Sequence, residues 1–364
     1  MLAPLPGQHL AGDPLLAQRW CEQLAEGNAA SCQLLLLLAG TDTAAVPGIS
    51  AAGSTPASRR LTAAADAELL LLGPCRPRPH ALPPLPAGVS PALISRVVVE
   101  QLGLEPLVVD LGAPVAPAVP HLRLPAGLGV APARCLSTGK AMAAERAAGL
   151  LALGRRWGER LARAGKPVLL AECVPGGTST AQALLQGLGV EAAGLVSGSL
   201  RQPAHGLKAA LVRRGLAAAG LHTPPAAGAV AVDAGAVVAV AAAVGDPMQL
   251  LAAGVLLAAA EEVPLLLAGG SQMAAVLALA LALTPAPQRS RLLAQAAVVT
   301  TAWVAGEAGS DLVALLARIG YRWGGNPLAF AAGLRFSDCL SPQLQADRKS
   351  TCLNSSHANI SYAV

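Results

Sequence analysis

Seven short apolar runs, each closed by a glycine or a polar turn, constrain the fold of this chain more than any other feature. They are CQLLLLLAG at 32–40, AELLLLG at 67–73, PLVVDLG at 106–112, PVLLAEC at 167–173, VVAVAAAVG at 237–245, PLLLAGG at 264–270 and AAVVTTAW at 296–303. A strand covered on both faces reads as an unbroken apolar run, whereas a half-wet strand alternates. Helical patterning fills the stretches 90–102, 140–164, 180–188, 206–220, 248–262, 271–283 and 310–319. Strands alternating with helices predict an α/β fold with a mainly parallel sheet. In the Ala-rich runs, periodicity does not separate strand from helix. Two Pro-rich segments, 73–91 and 113–127, cannot pair inside a sheet. The first reads as an ordered surface crossing or part of a smaller subdomain.

Aromatic residues are 2% of the chain, so Leu, Val and Ala must fill the core. The net charge of +5 comes from scattered cations such as Arg59-Arg60, Arg155-Arg156 and Arg213-Arg214. Without a basic block or aromatics to stack bases, no nucleic-acid partner is expected. The seven cysteines show no CxxC and no ligand-like Cys/His spacing, which predicts reduced thiols, a cytoplasmic setting and no metal. The N-terminus lacks the basic and apolar regions of a signal peptide. The most hydropathic stretch, 234–260, is interrupted by Gly245-Asp246-Pro247. Each half falls short of the roughly 20 apolar residues of a membrane span, so no membrane partner is expected.

The segment AECVPGGTSTAQALLQGLG, 171–189, follows the run at 167–173. The pattern predicts strand, Gly-Gly-Thr-Ser-Thr turn, then helix. Glycines let the backbone approach a ligand, and a helix N-terminus with hydroxyls makes an anion site, most naturally for phosphate. Equally, Thr178 or Ser179 can be a plain helix N-cap, worth about 1 kcal/mol. No Gly-Lys-Ser/Thr closes a Walker loop and no G-x-G-x-x-G is present. Glu172, an acid at the end of a buried run, must be paired, face a cleft or be used. LAGGSQM, 267–273, repeats the geometry as a second anion-site candidate. In a parallel sheet both turns would lie at the carboxyl edge, where open α/β sheets bind ligands. Asp246 reads better as a turn residue before Pro247 than as a ligand residue. Asp110 can be buried or face the cleft.

These segments, with LLLAGTDTAAVPGISAAGSTPASRRLTAAADAELL, LPPLPAGVSPALISRVVVEQLGLEPLVVDLG and ARCLSTGKAMAAERAAGLLALGRRWGERLA, resemble in their order the nicotinate-nucleotide–dimethylbenzimidazole phosphoribosyltransferase family. The resemblance is to its divergent cyanobacterial and archaeal branch and covers roughly residues 30 to 345. It implies a Rossmann-like α/β domain with a smaller accessory region, a homodimer, and no cofactor or metal. The implied reaction moves the phosphoribosyl group of nicotinate mononucleotide onto a benzimidazole-type base, giving α-ribazole phosphate for the lower ligand of cobalamin. By position, Glu172 would sit in the substrate cleft as the candidate catalytic carboxylate. Gly176, Gly177, Thr178, Ser179 and Thr180 would line the mononucleotide site. Gly245, Asp246, Gly269, Gly270 and Ser271 would form the facing walls. The alternative is a non-catalytic relative that holds a nucleotide or a base.

Two departures are mild: Ala171 stands where glycine is usual, and Ser179 where threonine is usual. The family's general base lies in a C-terminal Glu-Gly-x-Gly-Ala motif that this sequence lacks. The family pattern stops near Ala346. Residues 347–364, DRKSTCLNSSHANISYAV, are polar and resemble translated vector or adapter sequence. The expectation is therefore one α/β domain over 1–346 and a non-native, unstructured tail, in which the sequons at Asn354 and Asn359 carry no meaning.

Overall fold

The computed structural model describes residues 7–26, 32–82, 90–200, 203–221 and 233–332. The expectations for the 347–364 tail lie outside the described residues. Eight strands form one sheet in the order β1-β8-β7-β6-β5-β2-β3-β4. They are β1 (Gln8–Ala11), β2 (Gln33–Leu38), β3 (Leu107–Asp110), β4 (Leu122–Arg123), β5 (Val168–Cys173), β6 (Leu265–Ala268), β7 (Ala296–Thr301) and β8 (Leu328–Ala332). All neighbouring pairs are parallel except β1 with β8. The predicted α/β class is therefore the observed one.

Unbroken apolar runs build this sheet because each strand feeds two cores. Leu35 and Leu37 of β2 enter one core, while Leu34, Leu36 and Leu38 enter the other. In β5, Val168 and Leu170 divide in the same way from Leu169, Ala171 and Cys173. The smaller core lies under α1 (Pro14–Glu26), α2 (Pro56–Leu72) and α3 (Pro91–Leu102). The larger lies under α4 (Ala144–Ala162), α5 (Gly177–Gly187), α6 (His205–Ala218), α7 (Ala234–Val244), α8 (Pro247–Ala259) and α9 (Ser271–Leu283). α10 (Arg289–Gln295), the single turn α11 (Ala302–Ala305) and α12 (Leu312–Trp323) complete the helices. Helices α4 and α8 approach closely because Gly154 and Gly254 face each other. A Cβ on Gly154 would stand 3.0 Å from the Gly254 Cα.

Two expected strands are helices. AELLLLG, 67–73, is the end of α2. That helix starts eleven residues before the run, at a Thr55–Ser58 capping box with Pro56 in its first turn. VVAVAAAVG, 237–245, belongs to α7, capped by Asp233. Its Val237, Val240, Ala241 and Val244 enter the larger core at the i, i+3, i+4, i+7 spacing of one helix face. The sequence reading had no strand for β1, β4 or β8 and no helix for α1, α2, α10 or α11. Glu68 on α2 fastens both Pro-rich crossings. Its carboxylate accepts from the His80 N–H at 3.0 Å and the Ala118 N–H at 2.9 Å, with His80 Nδ1 at 2.6 Å.

The strand order sets where a ligand can lie. From β2 the chain moves outward through β3 and β4, then returns to the opposite side of β2 and proceeds through β5, β6, β7 and β8. The direction changes between β2 and β5, and ligand crevices open at the carboxyl ends of such a switch point.

Candidate functional site

Strand β5 ends at Cys173, and three residues later the chain turns into α5. Gly176 at that turn has φ 82°, the left-handed region that glycine enters without penalty. A Cβ there would also stand 2.9 Å from the Ala44 N, so the turn after β5 lies against the turn after β2. A Cβ on Gly177 would overlap Gln272 Oε1, so the same turn also lies against the start of α9. The β5–β6 register, Leu170 with Leu267 and Ala171 with Ala268, brings the two Gly-rich turns side by side, as the sequence pattern predicts.

Neither helix is capped by a side chain. Gly176 is the N-cap of α5 and Gly270 that of α9, and neither end has a side-chain cap hydrogen bond. The plain-cap reading of Thr178 and Ser179 is therefore not what the structure adopts. Thr178 is half-buried. Ser179 is fully buried, and its Oγ has no hydrogen-bond partner. Gly269 donates its N–H to the Val299 carbonyl at 3.0 Å. Ser271 Oγ accepts from the Ser197 N–H at 2.9 Å and lies 3.0 Å from Ser197 Oγ.

Lys208 on α6 completes this corner, and the sequence reading passed over it. Its side chain is fully buried, and Nζ donates to the Ser197 carbonyl at 2.5 Å. Burial pulls its pKa down to about 8, against the opposing field of Glu307. Ser197 in turn bonds Ser271, the first residue of α9, so this cation adds full charge to the partial charge of the helix ends. The signal was present: 208 is one of four lysines in an Arg-dominated chain, and it sits between apolar residues.

Glu172 is 2% exposed at the end of β5, and its Oε2 accepts the Val174 N–H at 3.0 Å. Thr180, Gly245 and Asp246 form a buried layer behind α5. Thr180 Oγ1 lies 2.6 Å from Asp246 Oδ2 and 2.9 Å from the Gly177 carbonyl. Asp246 caps α8, accepting from Met248 N–H at 3.1 Å and Gln249 N–H at 3.3 Å. The Gln249 side chain returns a bond to the Asp246 N–H. Burial raises the Asp246 pKa to about 6, against the lowering effect of its bonds with Thr180, Gln249 and Met248. The turn reading of Asp246 is thus the observed local geometry. Asp110, also buried, accepts the Gly112 and Ala113 N–H groups with Oδ1. Among the described residues no group of three or more His, Cys, Asp or Glu is arranged to hold a metal, and no helix is long and apolar enough to cross a membrane.

Comparison with known proteins follows the same lines. No profile of a known protein family matches the chain. Over 95% of the chain and 94% of its counterpart, the fold superposes on CobT from Thermus thermophilus, with TM-score 0.55 and 19% identity. A second structure from that organism, of a nicotinate-nucleotide-dimethylbenzimidazole phosphoribosyltransferase, gives TM-score 0.54 over 96% of both chains at 19% identity. In sequence, a UPF0284 protein of Gloeobacter violaceus is 45% identical over 335 residues, covering 92% of this chain and 82% of the relative. A UPF0284 protein of Parasynechococcus marenigrum is 51% identical over 332 residues, covering 90% of this chain and 79% of the relative. The fold is the one that the resemblance implied, the sequence relatives are cyanobacterial as its branch implied, and the chain belongs to the UPF0284 family.

Proposed function

We propose that this chain is a phosphoribosyltransferase that binds nicotinate mononucleotide at the carboxyl edge of β5 and β6 and transfers its phosphoribosyl group to a benzimidazole-type base. The observation that carries this reading is the pair of helix N-termini without side-chain caps, α5 and α9, with the buried Lys208 cation joined to the start of α9 through Ser197. Backbone N–H groups of the two helix starts, other than those of Gly177 and Ser179, which donate to the Val174 and Gly176 carbonyls, join the Thr178 and Ser179 hydroxyls and Lys208 as donors for a phosphate without a metal. Gly269, Gly270 and Ser271 form the opposite wall, and the buried Thr180–Asp246–Gly245 layer fixes α5. The fold neighbour named as a nicotinate-nucleotide-dimethylbenzimidazole phosphoribosyltransferase supports the assignment.

Beyond phosphate binding, the chemistry asks for stabilisation of charge on the ribosyl group and for removal of one proton from the incoming base. The nicotinate of the donor carries positive charge as a pyridinium and leaves without an acid. The benzimidazole must lose its N–H proton as its nitrogen attacks the ribosyl carbon; the family's general-base motif is not in this sequence, so that proton passes to water. Charge on the ribosyl group in the transition state is stabilised by a nearby carboxylate, and Glu172 is the candidate for that role. The test is chromatography of α-ribazole phosphate formed from nicotinate mononucleotide and dimethylbenzimidazole. Glu172→Gln should retain mononucleotide binding and lower turnover by at least about 10²-fold. Turnover unchanged by Glu172→Gln removes Glu172 from the chemistry. A chain that binds the mononucleotide without product supports the non-catalytic binding role instead.

A further inference from the structure

The donors of the proposed phosphate corner are sealed from solvent. Lys208 and Ser179 are 0% exposed, and Ser271 is 3% exposed. A ligand reaches them only when something moves aside. The segment 195–200, between α5 and α6, covers the cation. Its Ser197 carbonyl accepts from Lys208 Nζ, and a Cβ on Gly198 would stand 3.2 Å from that atom.

This segment crosses the carboxyl edge of the sheet from one helical layer to the other. On the side of the larger core, Ser197 donates its N–H to Ser271 Oγ at the start of α9. The Leu195 carbonyl there accepts the Asp311 N–H at 3.1 Å. On the side of the smaller core, Ser199 Oγ accepts the Ala51 N–H at 2.8 Å and lies 3.1 Å from Ser50 Oγ. The 50–53 loop is itself fixed to α2. Arg59 Nη1 donates to the Ser50 and Gly53 carbonyls, and Thr62 Oγ1 donates to the Ala52 carbonyl. α9 starts after β6, and the 50–53 loop follows β2. β5 lies between β2 and β6, so the crossing passes over the end of β5. The two fastenings differ in strength. Ser197 and Ser271 are buried, whereas Ser199 is half-buried, and water replaces a hydrogen bond at low cost where it has access.

We propose that the segment 195–200 is a gate over the phosphate corner, latched by Ser199 to Ser50 and Ala51. The inference rests on the function proposed above and states how its ligand enters. When Ser199 lets go, the segment lifts about Leu195, which stays tied to Asp311, and uncovers Lys208 and Ser271. Nζ carries three donors, so it holds a phosphate and takes back the Ser197 carbonyl when the gate shuts. Closure then excludes water from the bound donor, as lids do in many enzymes. Ser199 acts through the segment and is a positioning residue, not a catalytic one.

The experiment is stopped-flow binding of nicotinate mononucleotide to the whole chain, with hydrogen exchange read by mass spectrometry. Ser199→Ala should raise the association and dissociation rate constants together, each about threefold or more, and leave equilibrium affinity nearly unchanged. Ser50→Cys with Ser199→Cys replaces two Oγ atoms 3.1 Å apart and should close a disulfide across the latch. Oxidation should slow association at least about tenfold, and reduction should restore it. The oxidised and reduced forms are the same chain, so a folding defect cannot mimic the effect. Exchange needs no ligand: the 176–180 turn should exchange faster in Ser199→Ala and slower in the oxidised double variant. Rates and exchange that ignore both variants overturn the proposal. A fall in affinity at an unchanged association rate in Ser199→Ala also overturns it, since Ser199 is then a static brace. If the parent chain binds no mononucleotide, the functional reading fails by itself. Exchange at 176–180 then decides the gate alone: a response to the latch variants upholds it, and no response overturns it.

Discussion

Thr178 and Ser179 are adjacent in sequence but differ in surroundings: the first is half-buried, the second is sealed with its Oγ unpartnered. Replacing both with Ala removes two donors from the α5 turn and no cap. With ~1.5–3 kcal/mol for each bond to a charged group, nicotinate mononucleotide affinity should fall tenfold or more by calorimetry, with the thermal midpoint little changed. Unchanged affinity would remove the phosphate from this turn. Lys208 gives a pH signature at the same scale. Its folded pKa of about 8 lies below the ~10.4 of an exposed lysine. An anion beside Nζ favours the charged form, so binding near and above pH 8 takes up a proton. Affinity should therefore decline as pH rises through about 8. Lys208→Met should weaken binding and flatten this profile. A profile unaltered by Lys208→Met would place the titrating group elsewhere.

At the scale of an element, α5 depends on the residue before its first turn. Gly176 adopts φ 82° and lies against the Ala44 backbone. A side chain there meets the left-handed penalty of ~1–2 kcal/mol and a backbone contact that cannot swing aside. Gly176→Ala should thus destabilise the chain by about 2 kcal/mol or more in denaturant titration and also displace the turn, lowering mononucleotide affinity. A variant as stable as the parent would show that the β2 and β5 turns are not held together at this point. Elements are also where the apolar runs were ambiguous. β2 and β5 are apolar along nearly their whole length and were legible as buried strands. AELLLLG has a similar composition, but it continues a helix already started at Thr55, and a short window does not contain that start.

At the scale of the whole molecule, two buried acids link stability to pH. Asp66 on α2 accepts from Ser90 Oγ at 2.7 Å and faces Cys173 Sγ at 3.6 Å. Burial raises its pKa to about 6, opposed by these two bonds. Asp246 is raised to about 6 in the same way. Both lie above the unfolded ~3.9, so between these values the folded chain binds more protons than the unfolded one. Their contribution to stability is greatest below the unfolded pKa and falls as pH rises through about 6. Urea titrations between pH 4 and 7 should show this decline, and Asp66→Asn with Asp246→Asn should flatten it. A slope unchanged in the double variant would assign the linkage to other groups.

Local pattern carried the strand–turn–helix units around 172 and 269, because a two-face-buried strand and a Gly-rich turn are written in consecutive residues. The same pattern placed Gly176, Gly177, Ser271 and Glu172 at one sheet edge, since parallel neighbours end together. Other features depend on separations that no local window spans. Ser197, which accepts from Lys208, reaches Ser271 across 74 residues, and β2 and β5 became neighbours only after a long excursion of the chain through β3 and β4. β1 and β8 pair across nearly the whole chain, and that pairing is written in neither segment by itself. Propensity and periodicity act over a few residues and set the elements. Burial, charge and the closing of the switch point act between them, and these decided which side chains face the site.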